Sequence, residues 1–397
     1  MIAKQNVSQN FSLISERMLG NILLGILLVS LLSYEAHLYP LYRAMTALVL
    51  LTGIAVALLL ARSFRWGDVF KSNSAVLVLL FVQLVAGIGS MVLYGDGSLG
   101  WVIQVASTFL SFAVFYLMFP VLTKETSYRI LKSFFLVATL ASVFSIVLMR
   151  TGSLFGYSVL WGTRSQSVFF DANYYGGIAG VSAAFFFFYH CRGWYIYFAI
   201  NVCGVVSSGS RGALLALLAA LMFGLFRDLI LRHKAKPLFL AISALCVVFL
   251  GLHYLGEIGF FRSYQGSSGR LDMWILIIPV LMDSFFFGYG YGSAPALIRR
   301  YTLATNGSLH NAYLDHIASY GFISFFIYIY MIAKCISRAF FNDRIGSAML
   351  CCSVALIVNA MTISINLGGV GILSLLLSLL LGWMNVDNQS QLPPQSD

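Results

Sequence analysis

The chain has 397 residues, of which 60% are hydrophobic and only 10% are charged, and its mean hydropathy is +0.88. These values exclude a soluble globular domain, because a soluble surface needs many more charged side chains, and they indicate a polytopic membrane protein. The apolar runs are continuous, which favours helices over a β-barrel. The net charge of +10 does not by itself predict a nucleic-acid partner, because basic residues also gather on the inner side of membrane proteins.

Twelve apolar runs are long enough to span a bilayer, which predicts an all-α membrane protein with about twelve transmembrane helices. The runs cover residues 18–35, 41–61, 74–94, 99–119, 128–149, 176–190, 194–208, 211–227, 237–255, 312–333, 346–365 and 367–384. The first run is predicted to be an uncleaved anchor, because no clear cleavage site follows it. We therefore predict a single transmembrane domain over residues 1–385 and a disordered cytoplasmic tail over residues 386–397.

The basic residues predict the orientation of these helices. With the N-terminus inside, sixteen basic residues lie on the inner side and eight on the outer side, as the positive-inside rule requires. All eight outer residues are arginine: Arg43, Arg150, Arg164, Arg211, Arg262, Arg270, Arg299 and Arg300. Any single one of them is equally well explained as an anchor at the lipid headgroups. The set without lysine favours an anionic ligand, because the planar guanidinium group binds phosphate oxygens in a fixed geometry.

Two outer loops, at about residues 150–175 and 256–311, hold most of the polar residues that we consider for a site. The first loop contains GTRSQSVFFDANYYGG, in which Arg164, Asp171 and Asn173 provide a cation and two groups that bind sugar hydroxyls. Four aromatic residues of this loop are candidates for stacking on pyranose rings, although such residues are common at any membrane interface: Phe169, Phe170, Tyr174 and Tyr175.

The second loop contains RLDMWILIIPVLMDS near residues 270–284, which predicts a short amphipathic helix in the interface with Trp274 as its anchor. The glycine-rich stretch FFFGYGYGS that follows predicts a flexible turn. Its GxGxG pattern does not indicate a dinucleotide site, because no strand precedes it.

Two similar stretches, SSGSR at residues 207–211 and SSGR at residues 267–270, each place serines and an arginine before a helical run. The backbone N–H groups of a helix N-terminus, two hydroxyls and a guanidinium group suit a phosphate. The alternative for the first stretch is a capped helix with an arginine that extends to the interface.

The stretch SLHNAYLDHIASYG at residues 308–321 lies where the second outer loop meets an apolar run. A titratable histidine at this position indicates a site, and Asn311, Tyr313 and Asp315 lie close to His310 if the segment is helical. The alternative is a neutral, hydrogen-bonded imidazole that caps the helix. The chain has no H-E-x-x-H motif and no carboxylate cluster, so we expect no metal.

In chain order, these stretches resemble the O-antigen ligase/polymerase superfamily of bacterial inner-membrane proteins. The similar features are GTRSQSVFFDANYYGG, SGSRGALLALLAAL, SSGRLDMW, GYGYG and LHNAYLDHIASYGFIS, over about residues 150–330. The FDxN stretch at Phe170–Asn173 favours a polymerase, whereas the ligases share the HN element and the arginines. One departure is that eleven residues separate Arg164 from Gly176, where the polymerase pattern has ten.

The resemblance implies a fold similar to the membrane lipid-sugar glycosyltransferases and a donor glycan on undecaprenyl pyrophosphate. The reaction would take place at the periplasmic face of the inner membrane without a cofactor, and a chain-length regulator is a candidate partner. It further implies that Arg211 and Arg270 bind the pyrophosphate and that His310 is catalytic. The residues predicted to bind substrate are Arg164, Asp171, Asn173, Arg262, Arg299, Arg300, Asn311, Tyr313 and Asp315.

The function that we predict is polymerisation of lipid-linked repeat units, with inversion at the anomeric carbon. The polyprenyl tail is expected among phenylalanine-rich spans such as residues 184–188. The alternatives are an O-antigen ligase that transfers the glycan to lipid A–core, a polysaccharide transporter and a non-catalytic assembly partner. A transporter is expected to place its charges near the middle of the membrane, whereas most of the outer charges here lie in loops and at span ends.

Overall fold

The computed structural model describes residues 16–61, 73–94, 99–118, 122–159, 164–232, 270–291, 293–301, 309–342, 346–365, 368–369 and 371–385. These residues form thirteen α-helices: α1 Glu16–Leu32, α2 Tyr42–Ala61, α3 Ser74–Tyr94, α4 Leu99–Phe112, α5 Lys124–Thr151, α6 Ala172–Tyr189, α7 Trp194–Ser208, α8 Arg211–Arg232, α9 Arg270–Asp283, α10 Ala294–Tyr301, α11 Ala312–Phe341, α12 Ser347–Asn359 and α13 Ile372–Asn385. A 3-10 turn at Tyr39–Leu41 precedes α2, and α4 continues as a π-helix at Ala113–Met118. Strands β1 Ser153–Leu154 and β2 Tyr157–Ser158 form an antiparallel hairpin after α5.

The fold is all-α apart from this hairpin, as the sequence predicts for the described residues. Within them, four helices are long and apolar enough to cross a membrane: α2 with the turn before it, α5, α8 and α11. Shorter apolar helices accompany them. A helix coincides with eleven of the twelve predicted runs, and the run at 237–255 lies outside the described residues. The number of twelve spans stays a prediction.

Helices α6 and α13 form the centre of the molecule. All fourteen residues of α13 are buried, as expected for a helix that is apolar all round. Helix α6 is buried along most of its length, and at Gly177 it passes so close to Asn359 that a larger residue would require the Asn359 side chain to move. Because residues 184–186 are completely buried, they do not face lipid. Phe187 and Phe188 of the same stretch are partly exposed, so the expectation that a polyprenyl tail lies among such spans stays a prediction.

Helix α11 is broken at Gly321, whose φ of 75° and ψ of 176° leave the helical region. The glycine-rich segment after α9 binds the backbone groups at this break. Tyr289 donates its N–H to the carbonyl of Ala318 at 2.6 Å, and Phe322 donates its N–H to the carbonyl of Phe285 at 2.8 Å. The segment that we predict to be a flexible turn is instead attached to α11, because the break exposes backbone groups that need partners.

Two arginines of α8, Arg211 and Arg227, lie near opposite ends of this helix. Arg211 begins α8, and Arg227 lies sixteen residues further along, a rise of about 24 Å. Arg227 is buried and donates to the carbonyls of Ala339, Phe340 and Asn342 at the end of α11. The structure thus separates Arg211, which the sequence assigns to the outer side, from Arg227, which the sequence assigns to the inner side. That the Arg211 end faces the periplasm stays a prediction.

Candidate functional site

The N-terminus of α6 contributes Asp171 to the candidate site. This residue is the N-cap of α6, and its Oδ1 accepts the N–H groups of Asn173 at 2.6 Å and Tyr174 at 3.1 Å. Arg164 lies beside it and donates to the side chain of Asn173 at 3.1 Å and to the carbonyl of Ser208 at 2.8 Å. The first outer loop is therefore joined to the end of α7, and Arg164 forms this connection.

The serines before α8 have partners within the protein. Ser207 shares a hydrogen bond with Ser145 at 2.7 Å, Ser208 donates to the carbonyl of Val205, and Ser210 accepts the N–H of Ala213. Short hydroxyl side chains at helix ends commonly bond to the nearby backbone in this way. These contacts agree with the alternative of a capped helix, and phosphate binding at this stretch stays a prediction. Arg211 itself is exposed at the first turn of α8.

Arg270 begins α9 and is fixed by a segment from near the C-terminus. Its Nη1 donates to the carbonyl of Thr362 at 2.9 Å, in the irregular stretch that follows α12. Burial lowers the pKa of Arg270, the carboxylate of Asp171 raises it, and the positive charge of Arg211 lowers it. Asp171 before α6 and Arg211 at the start of α8 therefore both lie close enough to Arg270 to act on its charge.

His310 occupies the last turn of chain before α11 and has an unusual backbone. Its φ of 49° is in the left-handed region, which non-glycine residues seldom adopt. The side chain is partly buried. Burial lowers the pKa of His310 from its ordinary value, the charge of Arg270 lowers it further, and Asp171 raises it. The lowered pKa favours the neutral imidazole, which is the form that can accept a proton.

The three predicted neighbours of His310 contact other parts of the protein. Asn311 is the N-cap of α11, and its Oδ1 accepts the N–H groups of Tyr313 and Leu314. The Tyr313 hydroxyl donates to the carbonyl of Ile357 at 2.7 Å, and Asp315 accepts a hydrogen bond from Ser364 at 2.5 Å. These contacts fix the start of α11, and substrate binding by the three residues stays a prediction.

Three further arginines are predicted to bind substrate. Arg299 and Arg300 belong to the short helix α10, where Arg300 is exposed. Arg262 and the serines of the SSGR stretch lie outside the described residues. The residues that the structure brings together are therefore Asp171, Arg211, Arg270 and His310, which we call the charged group.

The aromatic residues of the first outer loop stack mainly on one another. Phe169 and Tyr175 are buried, with their ring centroids 5.9 Å apart, so neither is accessible to a sugar. This part of the stacking prediction is wrong, because Phe169 in the loop before α6 and Tyr175 in its first turn both pack into the core. Phe170 and Tyr174 both stack on Tyr34, at centroid distances of 5.4 and 4.5 Å.

Sequence reasoning missed the segment 360–365, which connects several parts of the site. The carbonyl of Ala360 accepts the N–H of Ala312, Thr362 binds Arg270, and Ser364 binds Asp315. The surrounding sequence is apolar, so it reads as the end of a span. Only Asn359 and the two hydroxyl residues in NAMTIS signal that the helix ends early.

The fold and the charged group define a helical membrane protein with arginines and a histidine at one end of its helices. Residues 196–329 match the model of the O-antigen ligase family. This match confirms the resemblance to the O-antigen ligase/polymerase superfamily, and the matched residues include Arg211, Arg270 and His310. A comparison with curated proteins gave no match.

Proposed function

We propose that this protein polymerises undecaprenyl-pyrophosphate-linked repeat units into O-antigen or a related surface polysaccharide at the periplasmic face of the inner membrane. The observation that carries the proposal is the charged group. Arg211, Arg270 and His310 lie within the region matched by the O-antigen ligase family, and all but Asp171 of the group come from that region.

The arginines would bind the pyrophosphate of the donor. Arg211 is exposed and Arg270 is partly buried, so a lipid-linked pyrophosphate can approach the first while it contacts the second. Guanidinium groups stabilise the negative charge that grows on the leaving pyrophosphate as the anomeric C–O bond breaks. Burial strengthens this effect, because charges interact more strongly where water is excluded.

His310 would act on the acceptor. Its neutral imidazole accepts the proton of the acceptor hydroxyl while the hydroxyl oxygen forms the new bond to the anomeric carbon. The leaving group is undecaprenyl pyrophosphate, which departs from the opposite face. This geometry gives inversion at the anomeric carbon, and the reaction needs no metal or other cofactor.

An O-antigen ligase is the second candidate, because the family model that matches the chain carries that description. The two reactions use the same donor and differ in the acceptor. A polymerase joins the glycan to another lipid-linked repeat unit, whereas a ligase transfers it to lipid A–core. The FDxN stretch, Phe170–Asn173, precedes the matched region and is the feature that favours the polymerase.

Purified protein and a lipid-linked repeat unit distinguish the two functions. We expect longer lipid-linked glycans with no lipid A–core present. Product that forms only after addition of lipid A–core would identify a ligase instead. A transporter or an assembly partner would give no new glycosidic bond under either condition.

A further inference from the structure

The residue before the candidate catalytic histidine is held by two side chains from different helices. Leu309 is completely buried. Its carbonyl accepts the indole N–H of Trp274 at 2.8 Å, and its backbone N–H is hydrogen-bonded to the carboxylate of Asp315. Both backbone groups of Leu309 are therefore bound by side chains, and these contacts fix the position of the backbone directly before His310.

Trp274 also relates His310 to Arg270. Trp274 and Arg270 are four positions apart on α9 and so lie on the same side of this helix, one turn from each other. Arg270 binds Thr362, while Trp274 binds Leu309. One helix therefore sets both the position of the guanidinium group and the position of the backbone before the imidazole.

The conformation of His310 shows why such contacts matter. A left-handed backbone at a non-glycine residue is unfavourable and persists only when its surroundings hold it. The two bonds to Leu309 act directly before this residue, and the cap formed by Asn311 acts directly after it. Without them, the segment is expected to relax towards a common backbone conformation and to turn the imidazole away from Arg270.

We infer that Trp274 and Asp315 are positioning residues that hold His310 beside Arg270. The importance of this position for glycan transfer rests on the proposed function. The positioning itself does not, because it is measurable on the protein without substrate.

The test follows the reaction of His310 with diethyl pyrocarbonate, which acylates a histidine only in its neutral form. Peptide mass spectrometry of full-length protein in detergent gives the rate of modification at each pH, and therefore the pKa of His310 and its accessibility. Trp274→Phe keeps an aromatic ring and removes the N–H donor. Trp194→Phe is the matched control, since Trp194 is also partly buried. Trp194 begins α7, and it is the opposite end of α7, at Ser208, that binds Arg164 near the site.

We expect Trp274→Phe to raise the pKa of His310 towards the ordinary value of about 6.5 and to increase the plateau rate several-fold. Burial and Arg270 both act to lower that pKa, and both effects weaken if the imidazole moves outward, whereas Asp171 acts in the opposite direction. Trp194→Phe should reproduce the wild-type curve. An unchanged curve in Trp274→Phe, or an equal change in both variants, overturns the inference.

Asp315 provides an independent pair of variants. Asp315→Leu removes the acceptor of the Leu309 N–H and should shift the curve in the same direction. Asp315→Asn keeps an acceptor oxygen and should restore most of the wild-type behaviour, which a purely structural defect would not do. If Asp315→Asn and Asp315→Leu behave alike, Asp315 is not a positioning residue. If the curves shift as expected but wild-type protein makes no glycan product, the positioning stands and the proposed function fails.

Discussion

Arg270 donates a hydrogen bond from Nη1 to the carbonyl oxygen of Thr362, across 2.9 Å and 92 positions of sequence. The guanidinium group that we propose for pyrophosphate binding is thus oriented by the segment between α12 and α13. One of its nitrogens is used in this contact, and a guanidinium group has further N–H donors in the same plane. Arg270 can therefore be fixed by the protein and still bind an anion.

Replacement of Arg270 should reduce glycan transfer in steps. Arg270→Ala removes charge and donors, and we expect a loss of about 100-fold or more in kcat, as for other groups that stabilise developing negative charge. Arg270→Lys keeps the charge but loses the planar fork, so an intermediate loss is expected. Arg43→Ala is the control, because Arg43 is an exposed outer arginine outside the charged group. Equal rates for wild type and Arg270→Ala would remove Arg270 from the mechanism.

The pH dependence of the reaction should respond to Asp171. In the proposed mechanism the neutral imidazole of His310 is the base, so we expect the rate to fall as the pH falls through the pKa of His310. Asp171 raises that pKa, and Asp171→Asn should therefore move the acid limb to lower pH. Asparagine is as good an N-cap as aspartate, so the hydrogen bonds at the start of α6 should be kept. An acid limb that stays in place or moves to higher pH contradicts the assignment.

The helices were largely predictable, and the reason is physical. A run of some twenty apolar residues has few alternatives to a buried or lipid-exposed helix, so the runs at 211–227 and 312–333 correspond to α8 and α11. What the sequence did not indicate is where a helix breaks. Gly321 lies within an apolar run that gives no sign of a break. The backbone groups at the break bind the glycine-rich segment after α9.

The site was predictable in its residue types but not in its connections. The sequence shows an arginine at the predicted outer end of a helix, and it shows a histidine directly before a predicted span. The sequence does not show that Asp315 binds Ser364 and the backbone of Leu309. These contacts depend on where α11 begins and where α12 ends. The serines of SSGSR show the same limit, since hydroxyls suit either a phosphate or the local backbone.

The break in α11 should be sensitive to a single methyl group. An alanine at position 321 would have to adopt a φ of 75°, and its Cβ would meet the carbonyl of Phe286. We expect Gly321→Ala to destabilise the protein by at least about 1–3 kcal/mol, from the backbone conformation alone. Gly25→Ala is the control, because nothing lies within 4 Å of a Cβ there. Thermal unfolding in detergent measures both, and equal melting temperatures would show that the break is not required.

Arg227 should stabilise the fold without taking part in the reaction. It is buried and satisfies carbonyl groups at the end of α11 that the helix itself leaves without partners, and its Nη1 donates to Ser347 at 2.7 Å. Arg227→Ala should lower the free energy of unfolding by about 1–3 kcal/mol for each carbonyl left without a partner. Arg192→Ala, at an exposed position, should have little effect. A changed pH profile in Arg227→Ala protein that remains folded would argue against a purely structural role.

The most direct test of the account separates donor binding from glycan transfer in the His310→Ala variant. Purified wild-type protein and His310→Ala are each mixed with a defined lipid-linked repeat unit, and donor affinity and the single-turnover rate of glycosidic bond formation are measured. We expect nearly unchanged affinity, because the proposed pyrophosphate contacts are Arg211 and Arg270, and a rate reduced by about 100-fold or more, because the proposed base is lost. Wild-type rates in the folded His310→Ala protein would contradict the account.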